Sequence, residues 1–326
     1  MRQLLHGIGT LYTCDAEDRV LHDAYIVVED GRIAEVGIGL PEGVFDRRED
    51  LAGRMVVPGF VNLHHHYFQT LTRAIPGAQR GHLIDWLYRM YPIWAGMTPD
   101  DLAAATQASV AQLLLTGATT SVDHSYLLPH GGADYVAAEI ASARDMGARL
   151  TLVRGSLTAL EADLDARLGV ILGARAGGLV DDPAQVLADM RGTIAKHHNT
   201  ARGAMVSVAL GPTTTTYDDP GFMRDVAALA AEARVGLHIH CHPRPDERAL
   251  CAARGTTPLD FLAEQGWLTD RTFFAHSTRL RPDEMRRCAD AGVAVAHCPR
   301  MILRLGARVT PLHDMISAGM RIGIGV

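Results

Sequence analysis

The densest chemistry in this sequence is imidazole. His64 and His66 follow an apolar run, Met55 to Leu63, that reads as a β-strand. The two-residue period of a strand puts them on one face with His65 on the other, and two imidazoles on one face of a strand end can grip one metal ion. His240 lies near the end of the run Val235 to Cys241, with His238 two positions earlier on the same face. His276 follows Thr272 to Ala275, and His297 follows Val293 to Ala296. A lone histidine at a strand end is more often a hydrogen-bonded structural residue than a ligand. Four strands with the same habit point instead to a metal site, with His64, His66 and His240 as its ligands. His124 and His130 border the same region and their role stays open, whereas His22, His82, His197, His198 and His313 read as solvated surface residues.

Imidazole ligands without thiolate suit zinc, with iron or manganese as alternatives. The five cysteines are scattered and never spaced as Cys-x-x-Cys, which indicates neither a disulfide framework nor a thiolate zinc site. A hydrolytic metal site also needs an open position for water and a carboxylate to manage protons. The inventory runs short here. After His240 come Cys241, His242 and Pro243, and the first acids are Asp246 and Glu247.

The elements that must position these side chains suggest an α/β fold. Candidate strands run over Met55 to Leu63, Ala118 to Asp123, Arg149 to Arg154, Met205 to Leu210, Val235 to Cys241, Thr272 to Ala275, Val293 to Ala296 and Met320 to Val326. Helical segments between them open on Pro99, Gly132, Pro183, Pro220, Pro258, Pro282 and Pro311. Strands alternating with crossover helices in this number predict a (β/α)8 TIM barrel, whose strand ends converge on one face. Residues 1–55 form a separate unit with a hairpin, Ala24 to Val28 returning as Arg32 to Val36 through Glu29-Asp30-Gly31. The stretch Tyr67 to Trp94 is too long for an ordinary β/α connection and is expected to be functional, whereas Gly169 to Pro183 reads as a surface loop.

A chain of 326 residues that is 48% hydrophobic and 21% charged has ordinary globular composition, which excludes a coiled coil or a disordered tail. Its net charge of -6 lacks the basic footprint of a nucleic-acid binder, so a small-molecule partner is expected. No signal peptide or membrane span is evident, and the expected location is cytoplasmic.

Pro58-Gly59-Phe60-Val61-Asn62-Leu63-His64-His65-His66, with the preceding Gly31-Arg32-Ile33-Ala34, resembles the amidohydrolase superfamily. The run His64 to Ala74, then Trp86-Leu87 and Tyr91 to Ala95, is similar to the deaminase branch that contains 8-oxoguanine deaminase and hydroxydechloroatrazine ethylaminohydrolase. The likeness continues through Thr119 to His124, His238 to Glu247, Phe274-Ala275-His276 and His297-Cys298-Pro299. It implies a small β-sandwich beside the barrel, with residues 1–55 as its N-terminal part and 56–326 as a metal-dependent hydrolase barrel. It further implies one divalent metal, Zn2+ or else Fe2+, held by His64, His66 and His240. By the same likeness His276 is catalytic, and Gln69 and His297 bind substrate. Three departures follow: Pro243 stands where the family has Glu, Met301-Ile302 replaces Ser-Asn, and the Asp after the eighth strand is missing with everything beyond it, so the barrel is expected to be incomplete.

The reading that results is a metal-dependent aminohydrolase acting on an 8-oxoguanine-like purine, pterin or aminotriazine through metal-activated water. The substrate is a small heterocycle, neither nucleic acid nor membrane is a partner, and a homo-oligomer is among the expectations. One alternative keeps the metal but changes the bond, to a cyclic amide or halogenated ring. The other is a catalytically impaired or incomplete protein of this fold that binds metal or heterocycle without turnover, which Pro243 favours.

Overall fold

Asp30 and Gly31 both adopt positive φ, 49° and 77°, the backbone of a tight hairpin turn whose twist matches its strands. They join β2 (Val20–Glu29) to β3 (Arg32–Ile38), and β2 pairs antiparallel with a longer first strand, β1 (Arg2–Tyr12). β4 (Arg47–Asp50) and β5 (Met55–Val56) add to the other edge of β1 in parallel, completing a five-stranded sheet. Strand alternation divides the buried residues of this sheet between its faces. Ile8, Leu11, Ala24 and Ile26 form one apolar cluster, and Leu4, Tyr25 and Val27 the other. The computed structural model describes residues 1–129, 131–160, 162–173, 179–216, 218–241 and 244–326, which divide into units Met1–Phe60 and Val61–Val326.

The expected single strand from Met55 to Leu63 is two strands. Pro58 cannot donate to a ladder and Gly59 weakens one, so the chain leaves β5 at Val56 and re-enters strand structure as β6 (Phe60–Asn62). From β6 the second unit builds an eight-stranded sheet in sequence order: β7 (Ala118–Ser125), β8 (Arg149–Ser156), β9 (Val206–Pro212), β10 (Gly236–Cys241), β11 (Thr272–His276), β12 (Ala294–His297) and β13 (Arg321–Ile324). Neighbours from β7 to β13 pair in parallel. The Leu63 N–H donates to Ile324 O at 2.8 Å and the Val326 N–H to His64 O at 3.1 Å, bringing the last strand against the first. The result is a (β/α)8 barrel.

The two faces of its strands carry different chemistry. Leu150, Leu152, Val208, Leu210, Leu237, Ile239, Phe274 and Val295 pack outward among helix residues, in the two large clusters of the core. The opposite face carries a small layer of Val122, Val153 and Ala209 with Leu63 and Phe273, and above it the histidines. Helices start where the sequence places them. Pro99, Pro183, Pro220, Pro258 and Pro282 each occupy the first turn, and Thr98, Asp182, Asp219 and Thr257 accept a backbone N–H as side-chain caps.

The long connection after β6 is ordered as the 3-10 turns Tyr67–Thr72 and Pro76–Ala78 followed by the helix Leu83–Trp94. The expected surface loop from Gly169 is partly helical, because the helix Ala162–Leu172 runs through its start. Residues 174–178 of that loop lie outside the described residues. His198 also departs from expectation. It is half-buried, and its Nδ1 accepts the Val208 N–H at 3.0 Å, capping the start of β9.

Gly211 on β9 shows how closely the barrel wall approaches the histidines. A Cβ there would overlap His238 O and Val153 Cγ1 and press on His124 Nε2 at 3.1 Å. Overpacking of this kind costs about 1–3 kcal/mol, so Gly211→Ala should lower the urea midpoint by a corresponding amount. An unchanged midpoint would show that the wall yields at no cost.

Candidate metal centre

Backbone pairing carries the first histidines beyond the end of β6. His65 O accepts the His124 N–H at 2.8 Å and His64 O accepts the Val326 N–H, so the segment His64 to His66 stays extended between β7 and the end of the chain's last strand. Alternation then holds His64 and His66 on one side. Their ring centroids are 4.7 Å apart, while the His65 ring lies 4.9 Å from Tyr67. His124 at the end of β7 and His240 on β10 face the same space. One ligand nitrogen from each of His64, His66, His124 and His240 lies within 4.8 Å of the others.

The hydrogen bonds of these rings decide where their protons are. His66 Nδ1 donates to His124 O at 2.8 Å and His240 Nδ1 donates to Thr213 O at 2.5 Å, because a carbonyl can only accept. His238 Nδ1 donates to Phe273 O at 2.7 Å, which leaves its Nε2 to accept from His64 Nδ1 at 2.8 Å. In the neutral rings of His64, His66 and His240 the Nε2 therefore carries a bare lone pair. His66 Nε2 and His240 Nε2 face each other at 3.0 Å. Two lone pairs at that distance repel unless a cation lies between them. A proton is disfavoured, since burial holds His240 down from the usual 6.5 to about 4 and holds His66 well below its usual range. The donor set fits a single divalent metal of the zinc type, with carbonyls orienting the ligating rings from behind.

His124 is the member whose role the sequence left open. Its Nε2 donates to Gly211 O at 2.7 Å, and its buried Nδ1 has no partner among the described residues. The alternation of β7 was the available signal, since it sets His124 on the inner face with Val122. His238 was equally visible, but it lies behind His64 as a hydrogen-bond partner.

His276 stands at the centre of a three-residue turn. Its φ is 72°, and the Ser277 N–H returns to Ala275 O at 3.0 Å, a rare and strained arrangement for a residue other than glycine. The turn stacks its ring on His240, centroids 5.2 Å apart and planes within 14°. Its buried Nδ1 has no partner among the described residues, and burial followed by the neighbouring imidazoles pushes its pKa well below the usual range. His297 is linked to it through Thr310, whose hydroxyl donates to His276 O and accepts from His297 Nδ1, both at 3.1 Å. Gln69 sits half-buried on the turn Tyr67–Thr72, with its N–H on His66 O at 3.0 Å.

Among the described residues, the carboxylates that neighbour these histidines in sequence are held away from the cluster. Asp123, next to His124, lies on the opposite strand face, where it accepts the Tyr67 N–H at 2.6 Å. Desolvation and then the charge of Glu139 raise it well above its usual range, and Glu139 is itself pushed up to about 8, chiefly by burial. Asp246 is clasped by Arg244, and Glu247 accepts from Thr215 Oγ1 at 2.6 Å. His130, His242 and Pro243, the last at the position where the resemblance expects Glu, lie outside the described residues.

The sequence profile described as the amidohydrolase family matches residues 55–326. The chain is 38% identical over 309 residues to an 8-oxoguanine deaminase of Pseudomonas aeruginosa, covering 92% of this chain and 66% of that protein. It is 29% identical to a hydroxydechloroatrazine ethylaminohydrolase of a Pseudomonas species, covering 99% and 68%. Among solved structures, an atrazine chlorohydrolase of Arthrobacter aurescens complexed with zinc superimposes with a TM-score of 0.90 at 31% identity, over 99% of this chain and 71% of that one. The chain thus spans about two-thirds of the length of the proteins it matches.

Two outcomes test the cluster. The chain should retain one zinc per molecule against a competing chelator, and His66→Ala or His240→Ala should lose it; equal retention in both variants would refute the centre. The metal-free fold should also weaken in acid. An unfolded histidine takes up its proton near 6.5 but folded His240 only near 4, so the unfolded chain binds more protons between those values. Stability is present above that window and falls as the pH drops through it, which urea titrations at both ends will measure.

Proposed function

The chain belongs to the amidohydrolase family, and from that membership we propose that it is a metal-dependent hydrolase that removes an amino group from an aromatic heterocycle, an 8-oxoguanine-like purine, a pterin or an aminotriazine. The observation that carries the reading is the pair of bare nitrogens, His66 Nε2 and His240 Nε2, facing each other at 3.0 Å. The 38% identity with an 8-oxoguanine deaminase supports a purine before the other rings. The same reading keeps residues 1–55 as part of a small sandwich and 56–326 as the hydrolase barrel.

His64, His66 and His240 would hold the metal through Nε2, and His124 lies in the same cluster. A zinc-type ion bound there would lower the pKa of a water towards 7 and would so supply the nucleophile. The remaining steps fall to side chains. His276, neutral at working pH and with its Nδ1 unpartnered, accepts a proton during attack and returns it. His297 commits its Nδ1 hydrogen to Thr310, which leaves Nε2 to accept from an N–H of the ring or its amino group. Gln69 offers both a donor and an acceptor to the ring edge.

Binding without turnover is the second reading, and a specific observation favours it. Asp246 and Glu247, the first acids after His240, are already engaged by Arg244 and Thr215, and Pro243 cannot supply a proton to a ring nitrogen. The zinc-loaded chain should be assayed for ammonia release from 8-oxoguanine, isoxanthopterin and an aminotriazine. Ammonia should be released slowly from the purine, roughly 10²- to 10⁴-fold more slowly in His276→Ala, and faster in Pro243→Glu. Heterocycle binding with no ammonia would establish the second reading, and neither binding nor ammonia would overturn both.

A further inference from the structure

A cavity of about 360 Å³ in the barrel unit is walled by Arg244, Arg248, Arg279, Arg281 and Arg308. Three separate segments deliver them: the one after β10, the one after β11, and the one after the helix Pro299–Leu305. Such a gathering of guanidinium groups concentrates positive charge at one place on a chain whose net charge is -6.

Two of the five are neutralised. Arg244 makes two bonds to Asp246, at 2.9 and 2.5 Å, and Arg248 makes two to Glu284, at 2.9 and 2.8 Å. Those pairs consume the carboxylates, and both arginines are thereby fixed in place, with side chains 9% and 24% exposed. Arg279, Arg281 and Arg308 have no carboxylate within ion-pair distance among the described residues. Arg279 Nε is in addition buried without a hydrogen-bond partner. Leaving a buried guanidinium donor unmade is costly, and holding three further like charges round one cavity adds repulsion that an anion would relieve.

We infer that this cavity is a binding site for an oxyanion, a phosphate or carboxylate group. Planar guanidinium forks match the oxygens of both groups with paired N–H bonds. The site adjoins the proposed centre through the chain itself. Arg279 follows His276 by three residues, and Arg308 precedes by two the Thr310 that bonds both His276 O and His297. The oxyanion has two sources: a substituent on the heterocycle, in which case the inference rests on the proposed function and narrows its substrate to an anionic derivative, or a separate small anion.

Calorimetric titration of the purified chain with inorganic phosphate, pyrophosphate and citrate tests the site without recourse to catalysis. Pyrophosphate should bind, more weakly as salt rises, and about tenfold more weakly in Arg279→Ala and in Arg308→Ala. Arg308 is exposed, so its variant keeps the test open should Arg279→Ala misfold. No binding of any of the three anions, or binding unchanged in both variants, would overturn the inference. The source follows from competition on the zinc-loaded chain. A purine nucleoside monophosphate that displaces pyrophosphate, and binds more tightly than the free base only while Arg279 and Arg308 are present, marks a substrate substituent. Pyrophosphate and free base bound together without competition mark a separate anion. Because binding is read by heat, failure of deamination alone leaves the result intact.

Discussion

Main-chain carbonyls decide the protonation of the imidazoles in this barrel, and the centre depends on that choice. His124 O, Thr213 O and Phe273 O each take an Nδ1 hydrogen, so that the opposite nitrogens of His66, His240 and, through His238, His64 are left bare. A carbonyl cannot change roles, which makes the tautomers a property of the backbone rather than of solvent. Each of these oxygens belongs to a different part of the barrel wall, after β9 or on β7 and β11. The metal centre therefore exists only when the wall is in register.

Burial makes the arrangement effective and costly together. Removing the imidazoles from water keeps them neutral and suited to a cation, but it leaves lone pairs facing one another with no donor among the described residues to satisfy them. Strand alternation contains the electrostatic consequence. Asp123 points away from His124, the adjacent residue, and pairs on the outer face with Glu139, where desolvation favours holding a proton over carrying two charges. The turn at His276 is a second local cost, a positive φ at a residue with a side chain. The ring packing on His240 offsets it and fixes where the imidazole points.

Charge is segregated over the barrel in the same spirit. The centre is built of neutral donors, whereas the arginine-lined cavity concentrates positive charge on the segments after the strands bearing His240 and His276 and after the helix Pro299–Leu305. Asp246 illustrates the division: it follows His240 closely in sequence, yet its carboxylate is spent on Arg244. A loop acid near a histidine in the chain is thus no guide to the acid available to its chemistry.

The sequence by itself determined the barrel, the strands and which of them end in histidine, because a two-residue period and apolar runs leave little freedom in which residues face inward. That His64, His66 and His240 face inward was legible on that ground, and so was the hairpin at Asp30-Gly31. Periodicity did not show the break at Pro58 that hands Met55–Val56 to the small sheet, since an apolar run continues through it. Nor could it tell His124, which joins the cluster, from His238, which supports His64 from behind, although both are inward-facing histidines of barrel strands. That distinction depends on which carbonyl each ring meets, and the carbonyls come from residues up to 87 positions away. The meeting of five arginines from three separate segments is of the same kind: spacing along the chain fixes which side of a strand a residue takes, but only closure of the barrel fixes its neighbours.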